Sequence, residues 1–162
     1  MKLSVLIGFL FINLNVVSQN LSFVDIKYLY EHSIDNCDSY LASKKYYFMK
    51  SEEAKDGEVC ASTTWAYKRN NINNKATSFI VKTCDEANIG LIFYQFSNNT
   101  ELEKIKTACK NQGFKFVKKS TSPYGTIWFT YESSKYRIEF GSGLDDDNNI
   151  NVYMVSFNKL LN

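Results

Sequence analysis

Proline occurs once and glycine seven times in 162 residues, which leaves no flexible linker or low-complexity tail to describe. Histidine occurs once, as His32, and the chain has no C-x-x-C pair, so the spacings of a zinc site are absent. Arginine is confined to Arg69 and Arg137, and the formal charge is only +2. No basic stripe is available for DNA or RNA, and no nucleic-acid partner is expected. After the first residues no run is apolar enough to cross a bilayer, so no membrane span is expected. There is no glycine-rich phosphate loop and no G-x-S-x-G elbow. No pair of carboxylates is singled out by spacing. His32 and Cys37 are close in sequence, but they read as a helix-surface histidine and a disulfide cysteine rather than a nucleophile pair. No catalytic residue, metal site or cofactor is therefore assigned.

What is present begins with an export signal. Met1-Lys2 is a short basic start, Leu3 to Leu14 is almost wholly apolar, and Val16-Val17-Ser18 supplies small residues for cleavage. The expected domain layout is a signal peptide over 1–18 and a single α+β domain over 19–162. The protein is expected to be exported, to the periplasm or the external medium. There the cysteines Cys37, Cys60, Cys84 and Cys109 can form disulfides, and four cysteines allow three connectivities. A hairpin centred near Ile72 sets Cys60 opposite Cys84 and Trp65 opposite Phe79. Cys37 then pairs with Cys109, each from a helix.

The chain also reads as two similar halves, about 22–97 and 98–162. Ile89-Gly90-Leu91-Ile92-Phe93-Tyr94-Gln95-Phe96 is similar to Ile150-Asn151-Val152-Tyr153-Met154-Val155-Ser156-Phe157. Tyr46-Tyr47-Phe48-Met49-Lys50 is similar to Phe114-Lys115-Phe116-Val117-Lys118, and the two tryptophans, Trp65 and Trp128, fall between these markers. Ser22 and then Ser33 or Asp35 can cap helices in the first half. Thr100-Glu101-Leu102-Glu103 fits a capping box in the second, and Gly113 a helix stop. Four strand-like runs follow in each half. The expected fold class is α+β: two tandem helix-plus-four-strand units, an antiparallel sheet, and helices packed on one face.

A two-residue turn at Ser133-Ser134 pairs Tyr131 with Tyr136, Phe129 with Ile138 and Ile127 with Phe140, all toward the core. Trp128, Thr130, Arg137 and Glu139 take the other face. Treating Trp65 as the counterpart of Trp128 puts Trp65, Tyr67, Arg69, Trp128 and Arg137 on a sheet surface without helices. Trp, Tyr and Arg are the residue types enriched at interaction hot spots. These five are the candidate binding residues. Asp145-Asp146-Asp147-Asn148-Asn149 matches only the start of a calcium loop and reads as a solvated hairpin loop. Asn98-Asn99-Thr100 is formally a glycosylation sequon, which the helix cap explains. Lys115, Lys118 and Lys119 read as a charged sheet edge.

The signal ending Val17-Ser18-Gln19, with Trp65-Ala66-Tyr67-Lys68-Arg69-Asn70, Glu132-Ser133-Ser134-Lys135-Tyr136 and Gly141-Ser142-Gly143-Leu144-Asp145, resembles a family of small exported proteins of Bacteroidetes bacteria. That resemblance implies location and no activity. The tandem layout is similar to the architecture of the β-lactamase inhibitor protein, which implies a long concave sheet that binds a target enzyme. The reading favoured is an exported, non-catalytic binding protein whose partner is a protein or an envelope component. An inhibitor or immunity-type protein and a hydrolase with scattered carboxylates are the alternatives.

Overall fold

A computed structural model of the chain describes residues 20–54, 60–68, 76–84, 90–145 and 149–160. The elements run α1 (Phe23–Glu31), α2 (Ile34–Ser43), β1 (Tyr46–Glu52), β2 (Ser62–Tyr67), β3 (Ser78–Thr83), β4 (Leu91–Phe96), α3 (Asn99–Asn111), β5 (Lys115–Thr121), β6 (Ile127–Glu132), β7 (Tyr136–Asp145) and β8 (Ile150–Lys159). The eight strands form one sheet in the order β1-β2-β3-β4-β8-β7-β6-β5, with every neighbouring pair antiparallel. The fold is the expected α+β arrangement of two units with helices on one sheet face. The last strand of each unit, β4 or β8, lies at the centre, and β1 and β5 are the edges. The expected signal peptide, Arg69, the Asn70–Asn74 turn and most of the acidic loop lie outside the described residues.

Each helix start follows from a short polar side chain. Ser22 and Asp25 form a capping box, with Ser22 N–H donating to Asp25 Oδ2 at 2.7 Å. Ser33 caps α2. In α3 the cap is Asn98 rather than Thr100: its Oδ1 accepts from the N–H groups of Thr100 (2.9 Å) and Glu101 (3.4 Å). Starting the helix two residues early leaves the Glu101 side chain free to enter the core. Lys45 (φ 60) and Gly113 (φ 83) take the left-handed conformation that ends α2 and α3.

The end of α1 is unusual: only His32 and Ser33 separate it from α2, and His32 is extended rather than left-handed, so the last carbonyls call for a side-chain cap. Lys82 on β3 supplies one from below. Its Nζ donates to the carbonyls of Leu29 (2.8 Å), Tyr30 (3.3 Å) and His32 (2.6 Å). Helix α1 packs across the junction of the units, with Phe23 edge-on to Phe114 (5.5 Å) and Phe157 (6.1 Å). Tyr30 sits edge-on to Phe157 at 5.3 Å. Burial of side chains of this size stabilises by about 1.5–3 kcal/mol each.

Two hairpin registers differ from the sequence expectation, with different consequences. The β6–β7 turn is Ser134-Lys135, one residue later than expected, so Phe129 pairs with Phe140 and Tyr131 with Ile138. Moving a two-residue turn by one shifts the pairing by two, so every side chain keeps its expected face. Between β2 and β3 the pairing shifts by one: Trp65 faces Ile80, and Phe79 faces Ala66. An odd shift moves a strand's side chains to the opposite face.

Candidate functional site

The face of the sheet away from the helices is the candidate site. Two rows cross it. One runs Tyr47, Ala66, Phe79, Gln95, Met154, Gly141, Trp128, Ser120. The other runs Lys50, Thr64, Val81, Phe93, Ser156, Glu139, Thr130, Lys118. Tyr47 is 67 % exposed, and Phe79, Phe93, Met154 and Trp128 are half-buried. The sheet thus carries accessible aromatics, concentrated on β1, β3 and β4 and extended by Met154 to Trp128. An apolar strip of this kind, on a face that no described helix covers, is consistent with a protein-binding surface.

Trp128 lies flat on β7. A Cβ built on Gly141 would meet its ring at 2.9 Å, so the glycine is what lets the indole rest on the strand. Arg137 shares this face and is held by Glu132, with contacts of 2.8 Å from Nε and 2.7 Å from Nη2.

Trp65 and Tyr67 are not there. Both face the helices: Trp65 is 1 % exposed and its indole N–H donates to Asp38 of α2 at 2.8 Å, and Tyr67 is buried against Tyr46. The correction has a register cause. Both edge strands carry a bulge, between Phe48 and Lys50 in β1 and between Phe116 and Lys118 in β5. Matching the bulges makes Thr64 the counterpart of Thr130, and so Trp65 the counterpart of Tyr131, not of Trp128. The tryptophans are offset by an odd number of residues and point to opposite faces. Of the five candidates, Trp128 and Arg137 lie on the open face, and Arg69 is outside the described residues. Phe79, Phe93, Met154 and Tyr47 were missed. For Phe79 and Phe93 the signal was the alternation of β3 and β4, which becomes readable only once the β2–β3 register is known, and Tyr47 and Met154 join the same row through the pairing of β1 with β2 and of β8 with β4.

The Cys60–Cys84 disulfide forms, with Cα atoms 5.1 Å apart. It does so although the two residues are not ladder partners. Cys84 takes a positive φ (58°) and its N–H bonds to Ala61 O at 3.0 Å. Cys37 and Cys109 are not joined. The thiol of Cys37 donates to Leu29 O at 3.2 Å, and burial pushes that of Cys109 up to about 12. Counting seven residues back from Lys45 and Gly113 pairs Asp38 with Lys106, so Cys37 corresponds to Ile105 and has no cysteine counterpart. His32 uses its ring on Tyr28, stacking at 3.8 Å and bonding Tyr28 O at 2.9 Å. Cys37 meets the backbone of His32, its Sγ donating to His32 O at 3.6 Å.

Two features remain on the helix side. Glu101 is buried and accepts from Leu21 N–H (3.1 Å) and from the Tyr94 hydroxyl. Tyr94 continues to Tyr46 (3.3 Å) and Ser78 (2.9 Å from Tyr46). Burial pushes the Glu101 carboxyl up to about 7, against the pull of its hydrogen bonds. Glu101 lines two spaces: a cavity of about 30 Å³ shared with Tyr94, room for one water, and a pocket of about 280 Å³ shared with Leu21, Phe23 and Lys104. The second feature is a groove of about 420 Å³ between α2 and the β1–β2 edge, with Ile34, Asp35, Asp38, Phe48, Thr63 and Trp65 among its lining. Its two carboxylates come from one helix wall, whereas two-carboxylate hydrolysis needs groups flanking the substrate.

Comparison with protein families, with curated proteins and with solved structures finds no match for this chain. No described helix is long and apolar enough to cross a membrane. Among the described residues no three His, Cys, Asp or Glu side chains converge as metal ligands.

Proposed function

We propose that this is an exported, non-catalytic binding protein that uses the open face of its sheet to hold a protein or cell-envelope component. The observation that carries the reading is the strip Tyr47, Phe79, Val81, Phe93, Met154 and Trp128 on a face that no described helix covers. Aromatic side chains on a rigid sheet give a large contact area with little rotamer entropy lost on binding, and the flexible Met154 can adapt to the partner's shape. Gly141 and Ala66 lower the floor between them, and Lys50 and Lys118 end the central row. The export part rests on the Leu3–Leu14 apolar core and the small residues up to Ser18.

Photo-crosslinking in the producing cell tests the face. A photoreactive residue at Phe93 should give a discrete adduct that excess native protein suppresses and a Phe93→Ala/Trp128→Ala protein does not. The same probe at Thr107, exposed on α3, should give none. Equal adducts from both positions, or none from Phe93, would reject the face as the binding surface. N-terminal sequencing of the mature protein should read Gln19-Asn20-Leu21, and retention of Met1 would reject export by this signal.

A further inference from the structure

We propose that the groove between α2 and the β1–β2 edge receives a lysine or arginine side chain of a partner protein. It lies on the opposite side of the sheet from the face discussed above, so neither reading depends on the other.

The walls suit a cationic side chain. Phe48 and Trp65 are direct cross-strand neighbours, and both line the groove with Ile34. Phe48 is 57 % exposed, so the ring is reachable from solvent. Asp35 and Asp38 line the same groove from α2, about one helical turn apart. Asp38 Oδ1 accepts from the Trp65 indole N–H at 2.8 Å, which fixes the carboxylate at the edge of that ring and leaves the face of Phe48 as the one open to a cation. Among the described residues the groove lining includes no lysine or arginine. An apolar stem beside Ile34, a cation over an aromatic face and a carboxylate at the tip are together what lysine and arginine need.

The second unit shows the same arrangement with its cation already in place. There the residue before the bulge is Phe116 and its cross-strand partner is Tyr131. Helix α3 sets its own lysines over this side of the sheet: Lys110 is 5.8 Å from the Tyr131 ring, and Lys106 is 5.4 Å from the Phe129 ring. Lys106 also pairs with Glu103 at 3.0 Å. Seven residues before the left-handed helix stop, α3 has Lys106 where α2 has Asp38. Ten residues before it, α3 has Glu103 where α2 has Asp35. Acid, cation and ring are therefore all supplied internally in the second unit. In the first unit the helix supplies acid at both positions, the floor is aromatic, and the volume is open. Among the described residues the missing member is a cation, which a lysine or arginine of the partner would supply.

The test uses the mature protein with Trp128→Phe, which leaves Trp65 as its one indole. Its emission is followed while adding Ac-Gly-Arg-Gly-NH2, Ac-Gly-Lys-Gly-NH2 or the neutral Ac-Gly-Gln-Gly-NH2 at low salt. The arginine and lysine peptides should give a saturating change, with the glutamine peptide weaker by about tenfold or more. Asp35→Asn/Asp38→Asn should weaken the cationic peptides by about tenfold while keeping an oxygen acceptor for the Trp65 indole. If that double variant loses its near-UV circular dichroism, Asp35→Asn alone decides the matter and should weaken binding about threefold. Equal response to the neutral peptide, no saturation with either cation, or unchanged binding in the decisive variant would each overturn the proposal.

Discussion

The two units share a backbone plan and differ in what they do with it. Strand for strand, Val81 corresponds to Glu139 and Phe93 to Ser156, so at these positions the open face is apolar in the first unit and polar in the second. Beneath the sheet the difference is larger. The position of Lys82 in the first unit is that of Phe140 in the second, and both side chains are buried toward the helices. The reason is the extra helix. Only the first unit has α1, whose last carbonyls end inside the protein close above β3. A buried phenyl ring there would leave them without donors, whereas an ammonium group answers three at once. In the second unit α3 ends at Gln112 and Gly113, where Gly113 N–H bonds to Lys110 O at 3.0 Å, so the equivalent position is free to be core.

The largest effects should come from breaking this pair. Phe140→Ala is expected to cost about 4 kcal/mol in urea unfolding, as a cavity in a packed core. Lys82→Met keeps the volume and removes the donors, and should cost about 2–3 kcal/mol. Hydrogen exchange separates the two. In Lys82→Met the last turn of α1 should lose protection ahead of the sheet, whereas Phe140→Ala should lower protection throughout. Uniform loss in both variants would mean that Lys82 is only filler.

The acids at the third position of α1 and α3 make a second comparison. Asp25 reaches back to Ser22 and also meets Tyr40 and Lys44, the last at 3.1 Å. Burial pushes its carboxyl up, but the hydrogen bonds from Tyr40, Ser22 and Lys44 outweigh it and hold it below the usual 3.8. Glu101 turns inward instead, and burial raises it from 4.5 to about 7. The signs are opposite. Asp25 contributes stability above pH 3.8 that is lost as the pH falls through its lowered value. Glu101 is best tolerated protonated, so its contribution is complete below pH 4.5 and is lost as the pH rises to about 7, by roughly 3 kcal/mol at most. Unfolding free energies measured from pH 3 to 8 should therefore fall between about 4.5 and 7 in the native protein. Glu101→Gln should flatten that decline and leave the acid limb in place, while Asp25→Asn should do the reverse. A native profile flat between 4.5 and 7 would refute the assignment for Glu101.

Much of this plan is visible in the chain itself. Hydrophobic alternation and caps locate the helices and strands, because they depend on residues a few positions apart. The likeness of Tyr46–Lys50 to Phe114–Lys118 marks the two bulged edges. The facing of Trp65 is not visible, because it depends on how many residues the β2–β3 turn consumes. Nothing in an Asn-rich turn distinguishes an odd from an even loop, and one residue decides the face. The β6–β7 turn was misplaced by one residue as well, yet the faces survived, since sliding a turn of fixed length moves the pairing by two. The roles of Lys82 and Glu101 were hidden for another reason. Each is an ionisable residue with backbone partners far along the chain, Leu29, Tyr30 and His32 for Lys82 and Leu21 for Glu101, and no local pattern records them.

The smallest expected effect bears on the open face, where Trp128 and Gly141 in the second unit stand at the positions of Ser62 and Thr83 in the first. The first unit needs no glycine because a serine casts no ring across the neighbouring strand. Gly141→Ala places a methyl group about 2.9 Å from the indole, too close for both to stay. The backbone there has no positive φ, so the strain falls on the side chain, and the cost should be about 1 kcal/mol. Measured in a Trp65→Phe background, Trp128 emission should move to the red and its quenching by iodide should rise as the ring lifts into solvent. The open face would then lose its flat indole without losing an aromatic residue. Binding that survives Gly141→Ala but not Trp128→Ala would show that the partner needs the ring but not its flat placement. Binding lost in both would show that the strand itself holds the indole ready.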